Sequence, residues 1–244
     1  MKRLILVSAV AFACLPFAAF GQATTSFEDY FGPRFAPKPA HGGSKDVAGL
    51  DTLHRWNRIA IDATGLDHTP TAIGPAHQFG EQLGPGRAAR AMAVPHVAMF
   101  DALNGINGGY KGYTNVNLHL IGPVSPDVAI AQAAHDGLSA MYPSQKYMFD
   151  QWLSQGIAAE KNPIARANGI TLGKTVAAAV LATRVADGAE VPEPNIGTGL
   201  HDYQLTDLPG HWSWDPISRD ALHQGPALGA HWGECVPFIL NSGH

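Results

Sequence analysis

Apolar side chains recur three and four residues apart in five stretches, the period of an α-helix seen from one side. From Asp51, Leu53, Trp56, Ile59 and Ala60 share a face, and Gly65 ends the run. From Arg87 to about Leu103 the inward set is Ala88, Ala91, Met92, Met99, Ala102 and Leu103. Pro95 inside that stretch predicts a kink, because proline removes a backbone donor and crowds the preceding turn. Asn104-Gly105 and Gly108-Gly109 read as stops. Ser125-Pro126-Asp127 is a helix start: serine caps, proline suits the first turn, and aspartate meets the positive end of the dipole. Val128, Ala131, Ala134, Leu138 and Met141 continue that stripe until Pro143. A fourth helix carries Phe149, Trp152, Leu153, Gly156 and Ile157 on one face. The fifth, Pro163 to about Ala186, sets Ile164, Ala167, Leu172, Val176, Ala179, Val180 and Thr183 inward, and Asp187-Gly188 closes it.

No stretch alternates with the period of a strand, and no repeat is visible. The expectation is an all-α protein: a helical bundle of about five helices over 48–187, an incomplete domain with a long irregular carboxy-terminal tail over 188–244. The tail is rich in Pro, Gly, Trp and His. Residues 66–86 form a long loop of the kind that is functional or covers something. Residues 24–47 lack an apolar period and read as an extended arm, with Phe27, Tyr30, Phe31 and Phe35 suited to lie on a surface.

The amino terminus changes the picture. Lys2 and Arg3 precede the predominantly apolar stretch Leu4 to Phe20, and Gly21-Gln22-Ala23 supplies small residues for cleavage. This predicts a signal peptide over 1–23 and a secreted or periplasmic protein. The apolar stretch is short for a membrane span, which needs roughly 20 residues, so no integral span is expected after cleavage. Its removal would take the formal charge from -4 to -6. A mildly acidic chain without a basic stretch is a poor nucleic-acid binder. Few charges with abundant Ala and Gly point to tight helix packing. Cys235 alone survives processing, which excludes an internal disulfide and a cysteine-pair zinc site.

Candidate chemistry is sparse. Imidazole beside carboxylate can bind a metal such as zinc or copper, and the tail offers His201-Asp202, His211 with Asp215, His223 after Asp220, and His231 with Glu234. Their spacing is irregular, and Gly233 argues against a helix aligning His231 with Glu234. His96 and His135 fall on helix stripes, where a histidine bonded to neighbouring backbone or carboxylate is the expectation. No Gly-x-Ser-x-Gly occurs, and Glu234 beside Cys235 disfavours a nucleophilic thiolate. Gly84-Pro85-Gly86-Arg87 has the look of an anion-binding helix start, though helix entry after a Gly-Pro turn explains it.

Several stretches in order resemble one family: "RWNRIAIDATGLDHTP" (55–70), "FGEQLGPGRAARAMAVPHVAMFDALNGINGGY" (79–110), "SPDVAIAQAAHDGLSAMYPSQ" (125–145), "WSWDPIS" (212–218) and "HWGECVPFILNSG" (231–243). Together they are similar to the amino-terminal half of bacterial vanadium-dependent haloperoxidase-like proteins, within the type 2 phosphatidic-acid phosphatase superfamily. The resemblance implies an all-helical fold. In complete members a Lys and two Arg neutralise the oxygens of vanadate, or of phosphate in the acid-phosphatase relatives. A Pro-Ser-Gly-His motif donates hydrogen bonds, and histidines act as acid-base group and as ligand or nucleophile. Such a dense anion loses water on binding, so several cations must replace it.

The family order is Lys-x6-Arg-Pro, Pro-Ser-Gly-His, then Ser-Arg with a later His. Here Lys161 reaches Asn168 instead of Arg. Asn241 precedes Ser242-Gly243-His244, and Ser218-Arg219 with His223 comes before that tripeptide instead of after it. The expectation is therefore no catalytic, cofactor-binding or metal-binding residue in this chain. It would be the scaffold half of a halide-oxidising protein, with vanadate bound only in the complete family member. The expected partners are a missing carboxy-terminal catalytic half and a possible homodimer. Val236, Phe238, Ile239 and Leu240 would await that partner, each worth ~1.5–3 kcal/mol when buried. The alternatives are an acid-phosphatase-like phosphoester hydrolase and a non-catalytic periplasmic interaction or metal-binding module.

Overall fold

A computed structural model describes residues 49–70, 75–193, 203, 206, 208–211 and 227–240. All lie in the compact unit Asp46–His244. The expected signal peptide, the arm and Ser242-Gly243-His244 fall outside the described residues. The described chain is all-α, with five helices and no strand: α1 Leu50–Asp67, α2 Pro85–Asn107, α3 Pro126–Met141, α4 Lys146–Ala159 and α5 Pro163–Ala182. Short 3-10 turns occupy Pro143–Gln145 and Trp232–Glu234. None of the described helices is long and apolar enough to cross a membrane.

The bundle is built around α3. Ser125 caps it, its Oγ accepting from the Val128 amide, with Pro126 in the first turn as the sequence predicts. Eleven of its sixteen residues are buried, so α3 has no solvent face to speak of. A helix apolar all round is the central one of a bundle. The helices α1, α2, α4 and α5 all pack on it. Trp56, Met99, Ile130, Leu138, Tyr142, Phe149, Val176 and Val180 fill the core between them. At the end of α3 the buried Tyr142 hydroxyl bonds Thr64 Oγ1 at 2.8 Å, joining it to α1.

Small residues set the distances. A Cβ on Gly169 would lie 2.9 Å from Ser125 O and Val128 Cβ, so α5 crosses α3 with backbones nearly touching. Where α2 meets α3, a Cβ on Gly137 would lie 3.0 Å from the Cα of Pro95. That contact gives Pro95 a packing role, and α2 runs through it as one helix.

Three boundaries differ from the sequence reading. Helix α1 passes Gly65 and ends at Asp67. Helix α2 passes Asn104-Gly105 and ends at Asn107, because Asn104 clasps the following loop by bonding both the N–H and the C=O of Tyr110. Helix α5 stops at Ala182, short of Ala186. Its inward face is also rotated from the predicted one. Ala165, Gly169, Leu172, Gly173, Val176, Ala177 and Val180 are buried, whereas Ile164, Ala167 and Thr183 are exposed.

Candidate functional site

Two buried aspartates tie described loop residues to α1 and α2. Asp67, the last residue of α1, accepts from the Glu81 amide at 2.7 Å and the Gln82 amide at 3.0 Å. Glu81 in turn accepts from the Ser144 amide and hydroxyl at 3.1 and 2.7 Å. Asp101 repeats the device on α2, accepting from the amides of Tyr113 and Thr114 at 2.7 and 2.8 Å and from Thr114 Oγ1 at 2.5 Å. A carboxylate holding two consecutive amides satisfies its own burial and the loop's donors together. These are the acids of the "AIDATGLD" and "MFDALNG" stretches, and their work is structural.

Three arginines meet where α2 begins and α5 ends. A cleft of about 520 Å3 is lined by Arg87, Arg90 and Arg184, with Glu81 and Glu190 on the same wall. Arg90 Nε donates to Asp187 Oδ2 at 2.7 Å, and its Nη2 donates to Arg184 O at 3.1 Å. Arg184 Nη1 donates to Val236 O at 2.8 Å, and its guanidinium carbon sits 4.4 Å over the Phe238 ring. Arg87 donates to Ala189 O and Val191 O at 3.0 and 2.8 Å. The Val236 amide donates to Asp187 O at 2.8 Å. The three guanidiniums therefore staple residues 187–191 and 236–238 to the bundle. Ala186, at a left-handed φ of 52°, turns the chain so that Asp187 meets Arg90.

The cleft does not suit vanadate or phosphate. A multiply charged oxyanion needs surplus positive charge with free N–H donors. Here Asp187, Glu81 and Glu190 balance the three arginines, and each guanidinium already donates to protein acceptors. The Gly84-Pro85-Gly86-Arg87 helix start is likewise occupied by protein. A Cβ on Gly86 would lie 2.2 Å from a ring atom of Trp232, so the indole lies on the bare backbone of the first turn of α2. Trp232 Nε1 and the Gly229 amide both donate to Glu193, each at 3.0 Å.

The histidines divide. His96 donates through Nδ1 to Met92 O at 2.7 Å and contacts Asn57 Oδ1 through Nε2 at 2.9 Å, the backbone-anchored role expected of a stripe histidine. His135 is flanked by two carboxylates, with Nδ1 2.7 Å from Asp136 Oδ1 and Nε2 2.7 Å from Asp150 Oδ1. Burial alone would lower its pKa. The hydrogen bonds to Asp136 and Asp150 outweigh that and hold it above the ordinary 6.5. Asp150 is lowered, first by Lys146 and then by His135. In the tail, His231 Nδ1 lies 3.1 Å from Glu234 Oε1. That corrects the sequence reading: no α-helix forms across Gly233, but a 3-10 turn with three residues per turn aligns the pair. His211 is exposed and its amide donates to Leu208 O. His201, Asp202, Asp215, Ser218, Arg219, Asp220 and His223 lie outside the described residues. Among the described residues no three His, Cys, Asp or Glu side chains converge as a metal set.

Cys235 is half-buried, and its thiol is pushed up by burial first and by the Asp187 charge second. The disfavoured thiolate matches the sequence reading, but after burial the acids that raise it are Asp187, Glu190 and Glu193. Around it, Phe238 is packed against the core and its ring is 6.3 Å from that of Tyr113. Val236, Ile239 and Leu240 remain 52%, 85% and 60% exposed. Sequence reasoning missed Asp67, Asp101, Arg90, Arg184 and Glu193 as organisers, since each acts on a partner far along the chain. No protein-family model, curated protein or solved structure matches this chain.

Proposed function

We propose that this chain is the scaffold part of an exported vanadium-dependent haloperoxidase-like protein, and that the oxyanion chemistry is supplied by residues outside the described bundle. The reading rests first on the ordered resemblance of its stretches to that family. The structural observation that supports it is the commitment of Arg87, Arg90 and Arg184 to Asp187 and to backbone carbonyls. These three arginines hold the chain's own tail. It then presents Val236, Ile239 and Leu240 outward beside an anchored Phe238, an apolar edge suited to further helices. The partner in this reading is a catalytic half carrying Lys-x6-Arg-Pro and Pro-Ser-Gly-His, with vanadate as its cofactor and halide as the substrate of the whole.

The test is an assay of the purified chain for bromide oxidation by hydrogen peroxide and for phosphoester hydrolysis, with and without vanadate. The DNA immediately downstream is read in parallel. The proposal expects no turnover by this chain, and a downstream reading frame encoding Lys-x6-Arg-Pro that restores activity when co-expressed. Turnover by the chain alone, or downstream DNA without that motif in any frame, would defeat it.

A further inference from the structure

Helix α4 is the lightly held member of the bundle. Only Phe149 and Leu153 of its fourteen residues are buried, and α3 is its main helical partner. Its polar attachments are few. Arg55 of α1 donates to Gln155 at 2.9 Å, and His135 of α3 reaches Asp150. The second attachment is the unusual one. The His135 side chain is 8% exposed and each ring nitrogen faces a carboxylate oxygen at 2.7 Å. A carboxylate only accepts, so both contacts are hydrogen bonds only when both ring nitrogens carry protons. A neutral ring would turn a lone pair toward one carboxylate, an unfavourable contact that removes one of the two bonds.

We propose that His135 is a proton-operated latch for α4: protonated, it ties Asp150 of α4 to Asp136 of α3; deprotonated, it lets α4 loosen from the bundle. The groups facing the ring are Asp136 and Gln132 on α3 and Asp150, itself bound to Lys146 at 2.6 and 2.8 Å, on α4. The charges that act most strongly on the ring are those two aspartates. Protonated, His135 and Lys146 neutralise Asp136 and Asp150. Deprotonated, the cluster carries one uncompensated negative charge. His135 gains its partners on folding, so its pKa is higher folded than unfolded. The latch is therefore fully closed below the unfolded value near 6.5 and opens as pH rises through the raised folded value.

The experiment follows the His135 ring resonance by NMR and the hydrogen exchange of residues 146–159 in the purified chain from pH 5 to 9. Exchange is corrected for its intrinsic pH dependence and compared with that of α5. The latch predicts a His135 midpoint above 6.5, and protection of α4 that falls at least tenfold relative to α5 across that midpoint. In His135→Gln the α4 protection loses its pH dependence. In Asp150→Asn, which alters a half-exposed residue and covers the case where the first variant does not fold, midpoint and loosening both move to lower pH. A midpoint at or below 6.5 would overturn the latch, as would α4 and α5 protection changing in parallel.

Discussion

Gly173 of α5 lies against the backbone of α3 so closely that a Cβ there would come within 2.6 Å of both Ala129 O and Gln132 Cβ. Neither neighbour is the end of a flexible side chain, so nothing can swing aside. Gly173→Ala must push the two central helices apart. The expected loss is about 1–3 kcal/mol, the usual cost of overpacking, seen as a lower midpoint in urea with an unchanged slope. Gly65→Ala, where a Cβ meets nothing within 4 Å, serves as the control and should hold or raise stability.

Asp67→Ala removes the acceptor for the Glu81 and Gln82 amides and strands two donors under the loop. The expected cost is about 1–3 kcal/mol, with faster hydrogen exchange concentrated at residues 80–82. Asp67→Asn keeps one carbonyl acceptor and should fall between the two. Equal exchange in wild type and Asp67→Ala would show that the clasp does not order the loop.

Ala186 holds a left-handed φ of 52° to present Asp187 to Arg90. That region costs an L-residue roughly 1–2 kcal/mol, part of which glycine gives back through its freer unfolded chain. Ala186→Gly should raise the melting temperature by about 1–4 °C, read by calorimetry. A fall would mean that the turn is not strained.

Arg184→Ala deletes both the bond to Val236 O and the cation over Phe238. Chymotryptic cleavage at Phe238 and Leu240 should accelerate severalfold while α3 exchange stays protected. Arg184→Lys keeps the charge and loses the flat stacking surface, so it should be intermediate. Unchanged cleavage in Arg184→Ala would remove the clasp from the account.

Much of the fold was legible because helices announce themselves locally. Ser125-Pro126-Asp127, Pro143 and the apolar stripe of α1 each act within one turn; α3 formed between the bounds read, and α1 formed with its stripe inward but ran past Gly65. The errors came where a distant partner decides. Nothing near Gly105 reveals that Leu172 of α5 packs on it, and so the helix was stopped early. The face of α5 was read correctly at Leu172, Val176 and Val180 and wrongly at Ile164, Ala167 and Thr183, because apolar residues surround the helix. The glycines at 169 and 173, which carry no hydrophobic signal, choose the side that meets α3. The arginine staple was invisible for the same reason: Arg90 and Asp187 stand far apart in sequence and meet only after α2 and α5 have packed. The His135 cluster was half legible, as a stripe histidine with a carboxylate. The second carboxylate comes from α4.

The proposal stands on Arg87, Arg90 and Arg184 being committed to the chain's own tail, so that the cleft they line takes no oxyanion. Vanadate titration of the purified chain, followed by 51V NMR and calorimetry, tests it most directly. The account predicts no saturable binding and a free-vanadate spectrum throughout. Stoichiometric binding that disappears when Arg87 or Arg90 is replaced by glutamine would contradict it.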